Sequence, residues 1–344
     1  MIWKNIEIFN VAELVTFEDG SVSWLRVPKS ACETMETSMG PNMARNTTGV
    51  ELRFVLKGES VKIVMSSLED DMGFNSFHVY RGGMQGGWDD HELHAHITPT
   101  PQEFEFKRSE RHQDQKAVHE MLGLDWDGEV IRVIFDRGEV KLHDVLGDVE
   151  PPKPSQTPKN TLLCYGSSIT HGSNSIDASH TWASVLAYHL NMDCRNLGFA
   201  GSCAMERRVV DYIASLGEQG KWQVANLELG INVLQWSEEK IYDRVENTLA
   251  QIAGRNPEKP VFVISPFFYG DEVLKNSTDG AKWRRLIEEI IARGKYPNVT
   301  YINGLDILGD ISGMSGDLIH PNIYGVQQIA DRLTSIYKRT LNDA

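Results

Sequence analysis

Ser168, His320 and Asp317 supply the side chains that serine acyl transfer requires: a hydroxyl to attack a carbonyl, an imidazole to take its proton, and a carboxylate to hold the imidazole. Ser168 follows Gly166-Ser167, where the apolar run 162–165 breaks abruptly, so the segment reads as a buried strand opening into a loop. A serine just past the carboxyl end of such a strand is held rigidly over a crevice. Asp317 precedes His320 in Asp317-Leu318-Ile319-His320-Pro321, a turn closed by proline ahead of the last helical pattern. Two further loops offer hydrogen-bond donors for an oxyanion. The stretch 196–202 is rich in glycine, which lets a backbone N–H approach a ligand, and Gly230-Ile231-Asn232 places a side-chain amide beside a glycine.

Each feature has an ordinary structural explanation. Gly-Ser-Ser after a strand is commonly a turn, Asn232 suits a turn bonded to its own backbone, and Asp317 with His320 suits a helix-entry cap beside a surface imidazole. Their order along the chain, each after an expected strand or before the final helix, is what points to chemistry.

The elements that must position these groups follow from periodicity. Expected strands at 161–165, 194–197, 224–229, 261–265 and 299–302 alternate with expected helices at 181–190, 204–216, 237–253, 280–293 and 323–341. That alternation implies a parallel sheet with right-handed crossovers, helices on both faces, and ligand-binding loops at the carboxyl ends of the strands. Residues 1–150 differ: Val50, Leu52, Phe54 and Leu56, then Val61, Ile63 and Met65, alternate with the two-residue period of half-buried strands. Short strands without a long helix predict a β-sandwich or jelly roll. Pro151-Pro152-Lys153-Pro154-Ser155-Gln156-Thr157-Pro158 marks the boundary, giving a 1–150 sandwich domain, a 151–159 linker that reads as a stiff spacer, and a 160–344 second domain.

Composition limits the partners. With 34 Lys and Arg against 48 Asp and Glu, the formal charge is −14, and no basic block exists to bind nucleic acid or an anionic membrane. Cys32, Cys164, Cys194 and Cys203 are too scattered for a disulfide framework and read as reduced thiols. The start of the chain has no signal-peptide pattern and no run reaches membrane-spanning length, so a cytoplasmic location is expected, subject to a leader already removed. Asn46-Thr47-Thr48, Asn276-Ser277-Thr278 and Asn298-Val299-Thr300 fit the glycosylation acceptor pattern, which has weight only in a secreted protein. His91, His94 and His96 do not make a metal site: on a strand His91 would face away from the other two, and no second cluster completes the set. No metal or organic cofactor is expected. The sequence leaves oligomeric state open, although a sandwich could place neighbouring subunits of a homo-oligomer beside the site.

These blocks resemble the SGNH (GDSL-type) hydrolase superfamily over roughly residues 160–341. The superfamily's Gly-Asp-Ser-Leu block falls in register with Gly166-Ser167-Ser168-Ile169, which makes Ser168 rather than Ser167 the match to the nucleophile. Its oxyanion glycine matches Gly201, its Gly-x-Asn-Asp block matches Gly230-Ile231-Asn232, and its Asp-x-x-His block matches Asp317 to His320. The resemblance implies a flavodoxin-like, parallel, three-layer α/β hydrolase domain behind a β-sandwich (jelly-roll) domain, an arrangement similar to some carbohydrate acetylesterases. It implies catalysis by Ser168, His320 and Asp317, with an oxyanion hole from the Ser168 and Gly201 N–H groups and the Asn232 amide. The expected activity is hydrolysis of short, acetyl-type esters of a carbohydrate or similar small hydroxylated substrate. Broader lipase, lysophospholipase or thioesterase activity is the rival within enzymes, and a non-catalytic carbohydrate-binding protein the rival outside them. Ser167, His171 and Phe267 are the candidate substrate contacts, and His180 a candidate cap for the next helix. Two positions depart from the family pattern: Ser167 and Val233 stand where it has acidic residues. The Gly-x-Ser-x-Gly elbow of α/β-hydrolases is absent, since Thr170 occupies its last place.

Overall fold

The computed structural model describes residues 1–68, 74–87 and 95–342. Up to Glu150 the described strands form two antiparallel sheets. One runs Ile2–Trp3, Ile6–Phe9, Glu51–Leu56, Val130–Phe135, Ser76–Arg81, Met84–Gln85, with Val149–Glu150 and Ala95–His96 added to its inner strands. The other runs Gln102–Lys107, Ser60–Ser67, Val140–Leu146, Val22–Leu25, Glu13–Thr16. Strand alternation explains the packing: Leu52, Phe54 and Leu56 from one sheet meet Val61, Ile63 and Met65 from the other in a closed core. Phe77 sits among them, edge-on to Phe104 at 5.1 Å between ring centroids.

This is the expected sandwich, with helices that the alternation did not show: Lys29–Cys32, Gly40–Arg45 and His112–Leu122. The last has almost no apolar stripe because it is a surface helix; within it His119 alone is buried.

Beyond the proline-dense connector lies a parallel sheet in the order Asp193–Gly198, Thr161–Gly166, Val224–Glu228, Val261–Ile264, Val299–Ile302. Helices Arg207–Glu218, Glu238–Arg255 and Asp279–Ala292 bury Val209, Val245 and Leu286 on one face, while Trp182–His189 and Ile323–Asn342 bury Trp182 and Ile329 on the other. The mixed α/β architecture expected from the sequence is therefore present. Ser237 caps its helix as its position before Glu238 suggested, accepting the Lys240 N–H. His180 does not cap the following helix: Thr181 does, through the Ser184 N–H, while the His180 ring turns back to Asp177 at 3.0 Å.

The two halves are joined by buried polar contacts. Asp193–Gly198 is an edge strand, and its carbonyls on the open side are filled from the sandwich. Asn196 O accepts Asn10 Nδ2 at 2.8 Å and Arg26 Nη1 at 3.2 Å, and Gly198 O accepts Arg26 Nη2 at 2.9 Å. Beside them Arg53, 1% exposed, forms a bidentate pair with Asp193 at 2.7 Å for each bond. Its Nε also bonds Glu51 at 2.8 Å, and its guanidinium lies over the Phe9 ring at 3.5 Å. Glu51 accepts Arg132 as well, so two cations and two anions balance inside the joint. Leu25, Val27, Ala31 and Ala44 extend the core of the parallel-sheet half. The connector follows this surface, with Gln156 O accepting the Asp127 N–H at 3.0 Å. Of the acceptor-pattern asparagines, Asn46 is buried and bonded to Arg137 O and to His171. No described helix is long and apolar enough to cross a membrane.

Removing one partner of a buried ion pair strands the other charge, so Asp193→Leu should lower stability by about 3 to 5 kcal/mol. Adding Arg53→Met restores neutrality and should recover part of that loss. Guanidinium unfolding monitored by fluorescence checks both, and the shared core predicts a single transition for the two halves.

Candidate active site

Gly166 ends its strand and the chain turns at once. Ser167, in an extended conformation, caps a four-residue helix, Ser168–His171, by accepting the Ile169 N–H at 3.1 Å. This turn comes ahead of the expected helix, which starts after Thr181 as Trp182–His189, and one turn is too short to leave a period in the sequence. Ser168 is the first helical residue, so its N–H has no intrahelical acceptor and stays available at the positive end of the turn.

The Ser168 hydroxyl meets His320 Nε2 at 2.8 Å, and His320 Nδ1 meets Asp317 Oδ2 at 2.7 Å. The loop before the last helix thus arrives over the first strand from 152 residues away in sequence. Leu318 takes a left-handed φ of 61°, which folds Asp317 and His320 onto one side of a single turn. Asp317 Oδ1 accepts the Ile319 and His320 N–H groups and the Ser315 hydroxyl, while Oδ2 also accepts Asn174 Nδ2 at 2.7 Å. Partial burial pushes this carboxyl up, but the bonds from His320, Ile319 and Ser315 outweigh it and hold it well below the usual carboxylate range.

Gly201 and Asn232 reach the same place. Both line a cavity of about 400 Å³ with Ser168 and His320, walled by Met39, Ile231, Leu234, Tyr269 and Ile319. Gly201 has a φ of 64°, and a side chain there would press on Met39 Sδ at 3.2 Å. Asn232 Oδ1 accepts the Cys203 N–H at 3.0 Å, which turns the amide so that its amine is the group left for the cavity.

The residues named as substrate contacts are placed elsewhere. Ser167 is 1% exposed, with its hydroxyl directed inward to Glu228 Oε2 at 2.7 Å. His171 is buried against the sandwich, bonded through Nε2 to Asn46 at 3.1 Å, and burial pushes its pKa well down. Phe267 belongs to the core under the last helix. None of the three lines the cavity at Ser168: Ser167 and His171 bound one helical turn and face inward, and Phe267 packs into the core. From the segment after the fourth parallel strand, Tyr269 and Asp271 line the cavity instead. Val233, at the position where the family pattern has an acid, packs into the core.

Met39, Asn174 and Glu228 were missed. Nothing in the sequence marks Met39, which the sandwich half contributes. Glu228 did leave a signal: a carboxylate closing the buried run Val224-Ala225-Asn226-Leu227 demands a partner. A larger cavity, about 530 Å³, lies between the halves and away from Ser168, lined by Tyr80, Trp126, Arg132, Tyr188 and neighbours. Its polar groups already bond within the protein, Arg132 to Glu51 and His189 to Thr334. Among the described residues no His, Cys, Asp or Glu cluster could hold a metal; His91 and His94 fall outside the described residues. All four cysteines are free.

Known proteins share this fold. A salicylyl-acyltransferase, SsfX3, from a tetracycline biosynthetic pathway matches 99% of this chain and 96% of its own at 15% identity, with a TM-score of 0.73. A family two carbohydrate esterase from Cellvibrio japonicus matches 98% and 96% at 12% identity, TM-score 0.66. An acetyl xylan esterase from the rumen bacterium Butyrivibrio proteoclasticus matches 99% and 97% at 12% identity, TM-score 0.58. At these identities the likeness is one of fold. No curated protein sequence matches the chain. The family description of GDSL-like lipases and acylhydrolases, however, matches residues 159–338, which include every residue of the Ser168, Gly201, Asn232, Asp317 and His320 cluster. The chain belongs to the GDSL-like lipase/acylhydrolase family.

Proposed function

We propose that this family member is a serine esterase that removes short acyl groups, acetyl foremost, from a carbohydrate or similarly hydroxylated substrate through an acyl-enzyme. The observation that carries the mechanism is the unbroken line of hydrogen bonds from Ser168 Oγ through His320 to Asp317. His320 Nε2 takes the hydroxyl proton as Ser168 attacks the ester carbonyl, and Asp317 holds the tautomer and stabilises the imidazolium. The Ser168 and Gly201 N–H groups and the Asn232 amide N–H receive the oxyanion. The alcohol leaves with the proton from His320, and water, activated by the same imidazole, releases the acid and restores the serine. Apart from that water, every step uses groups of this chain.

The likeness to carbohydrate esterases supports the reading, the acetyl xylan esterase for the acyl group as well as the alcohol. The cavity's apolar wall of Met39, Ile231, Leu234 and Ile319 favours a second reading, a bulkier apolar or aromatic acyl group, in line with the acyltransferase likeness. A chain-length series of p-nitrophenyl esters beside acetylated oligosaccharides separates the two. Rates falling steadily beyond acetyl support the first reading, and a maximum at butyrate or benzoate favours the second.

Ser168→Ala should abolish turnover and fluorophosphonate labelling, and adduct mapping by mass spectrometry should place the label on Ser168. Retained activity in that variant would refute the mechanism. Asn232→Ala should lower kcat by about 100-fold with KM little changed, as loss of one oxyanion donor does. Because Asp317 stays ionised far into acid, Asp317→Asn should lower kcat by about 10,000-fold at neutral pH by fixing the wrong tautomer.

A further inference from the structure

The floor beneath the nucleophile turn is a buried carboxylate. Glu228 ends the central strand Val224–Glu228 and is 0% exposed. Its Oε2 accepts the Ser167 N–H at 2.7 Å, the Ser167 hydroxyl at 2.7 Å and the Thr170 hydroxyl at 3.0 Å. These donors flank Ser168 on both sides. The Ser167 hydroxyl that donates to Glu228 is also the oxygen that caps the helix beginning at Ser168. Gly166 completes the enclosure, since a Cβ there would lie 2.6 Å from Glu228 Oε2. Glu228 Oε1, by contrast, is buried without a partner.

We infer that Glu228 is a positioning residue for the nucleophile, a carboxylate that acts through Ser167 and Thr170 to fix the turn on which Ser168 presents its hydroxyl to His320. The inference rests on Ser168 being the nucleophile. A purely structural acid would be costly here, because an ionised carboxylate out of water with one unbonded oxygen is destabilising. The cost is understandable where three donors must be held on one point beside a reacting group.

The ionised form is the stronger acceptor. Around it the neighbouring strands bring Gly166 and Ile264, and the loops bring Ser167, Thr170 and Cys203, the last with its thiol on the Glu228 main-chain carbonyl. Of these Cys203 alone titrates, and burial keeps its thiol protonated far above the ordinary range. Burial pushes the Glu228 carboxyl up from 4.5 to about 7, against the lowering effect of the Ser167 and Thr170 bonds. The folded chain therefore keeps this proton where the unfolded chain has lost it. The stabilisation is fully present below 4.5 and disappears as pH rises to about 7, and the grip on the turn tightens as the folded carboxyl ionises around pH 7.

The test compares Glu228→Gln, which keeps an acceptor but cannot ionise, with Glu228→Met, which keeps the length without an acceptor. Thr170→Val, which removes one donor at nearly constant volume, serves if the methionine variant fails to fold. Glu228→Met and Thr170→Val should lower kcat on p-nitrophenyl acetate by roughly 10- to 100-fold with KM little changed. Glu228→Gln should stay much closer to wild type at its plateau, lose one ionisation from the acid limb of kcat/KM, and lose the fall in Tm between pH 4.5 and about 7. Wild-type kcat in both Glu228→Met and Thr170→Val, or a wild-type pH profile in Glu228→Gln, overturns the inference. Failure of the reading beneath it looks different: fluorophosphonate would then leave Ser168 of the wild-type protein unlabelled.

Discussion

A parallel sheet that stops at an open strand leaves a row of main-chain groups without partners, and the rest of this molecule is arranged around that deficit. The open strand is Asp193–Gly198. Its outward carbonyls, at Asn196 and Gly198, stand a few residues before the loop that delivers Gly201. The sandwich covers them with Arg26 and Asn10, and Arg53 locks the start of the same strand through Asp193. Once the sandwich is docked, its loops continue to the front: Met39 reaches the cavity wall, and Arg137 bonds Gly172 O and Ser175 O on either side of Asn174. Asn174 touches Asp317. One docking event thus supports both the oxyanion side and the acid side of the cluster.

Much of the parallel half was legible because its elements are long enough to show a period. Five apolar runs and five helical patterns were visible, and the loops after them contained the groups that converge. Fold class in the first half was legible for the same reason, through alternation at Leu52, Phe54 and Leu56. What escaped was either short or polar. The helix Ser168–His171 is one turn, and His112–Leu122 buries only His119 and leaves Met121 and Leu122 exposed, so neither carries a full apolar stripe to the core.

The illegible part of the site has a different cause. Which way a side chain points out of a tight turn depends on φ and ψ at that residue, and the sequence around Ser167 and His171 does not reveal it. Both are neighbours of the nucleophile and both face away from the cavity, one to Glu228 and one to Asn46. Met39 was beyond reach for a simpler reason: it comes from the other half of the chain, and its place depends on a docking geometry set by Arg26 and Arg53. Glu228 was the exception, since an acid directly following Leu227 at the end of a buried run is an anomaly visible in the residue pattern alone.

The buried side chain of Asn46 has a consequence for how this protein can be made. It sits in an Asn-Thr-Thr pattern, bonded to the Arg137 carbonyl and to His171, inside the joint between the halves. A secretory eukaryotic host reads that pattern on the emerging chain, while the joint that would hide it has yet to form. A sugar attached then would occupy the space that the two halves need in order to meet. Production in a host that does not glycosylate avoids chains that complete synthesis but cannot close.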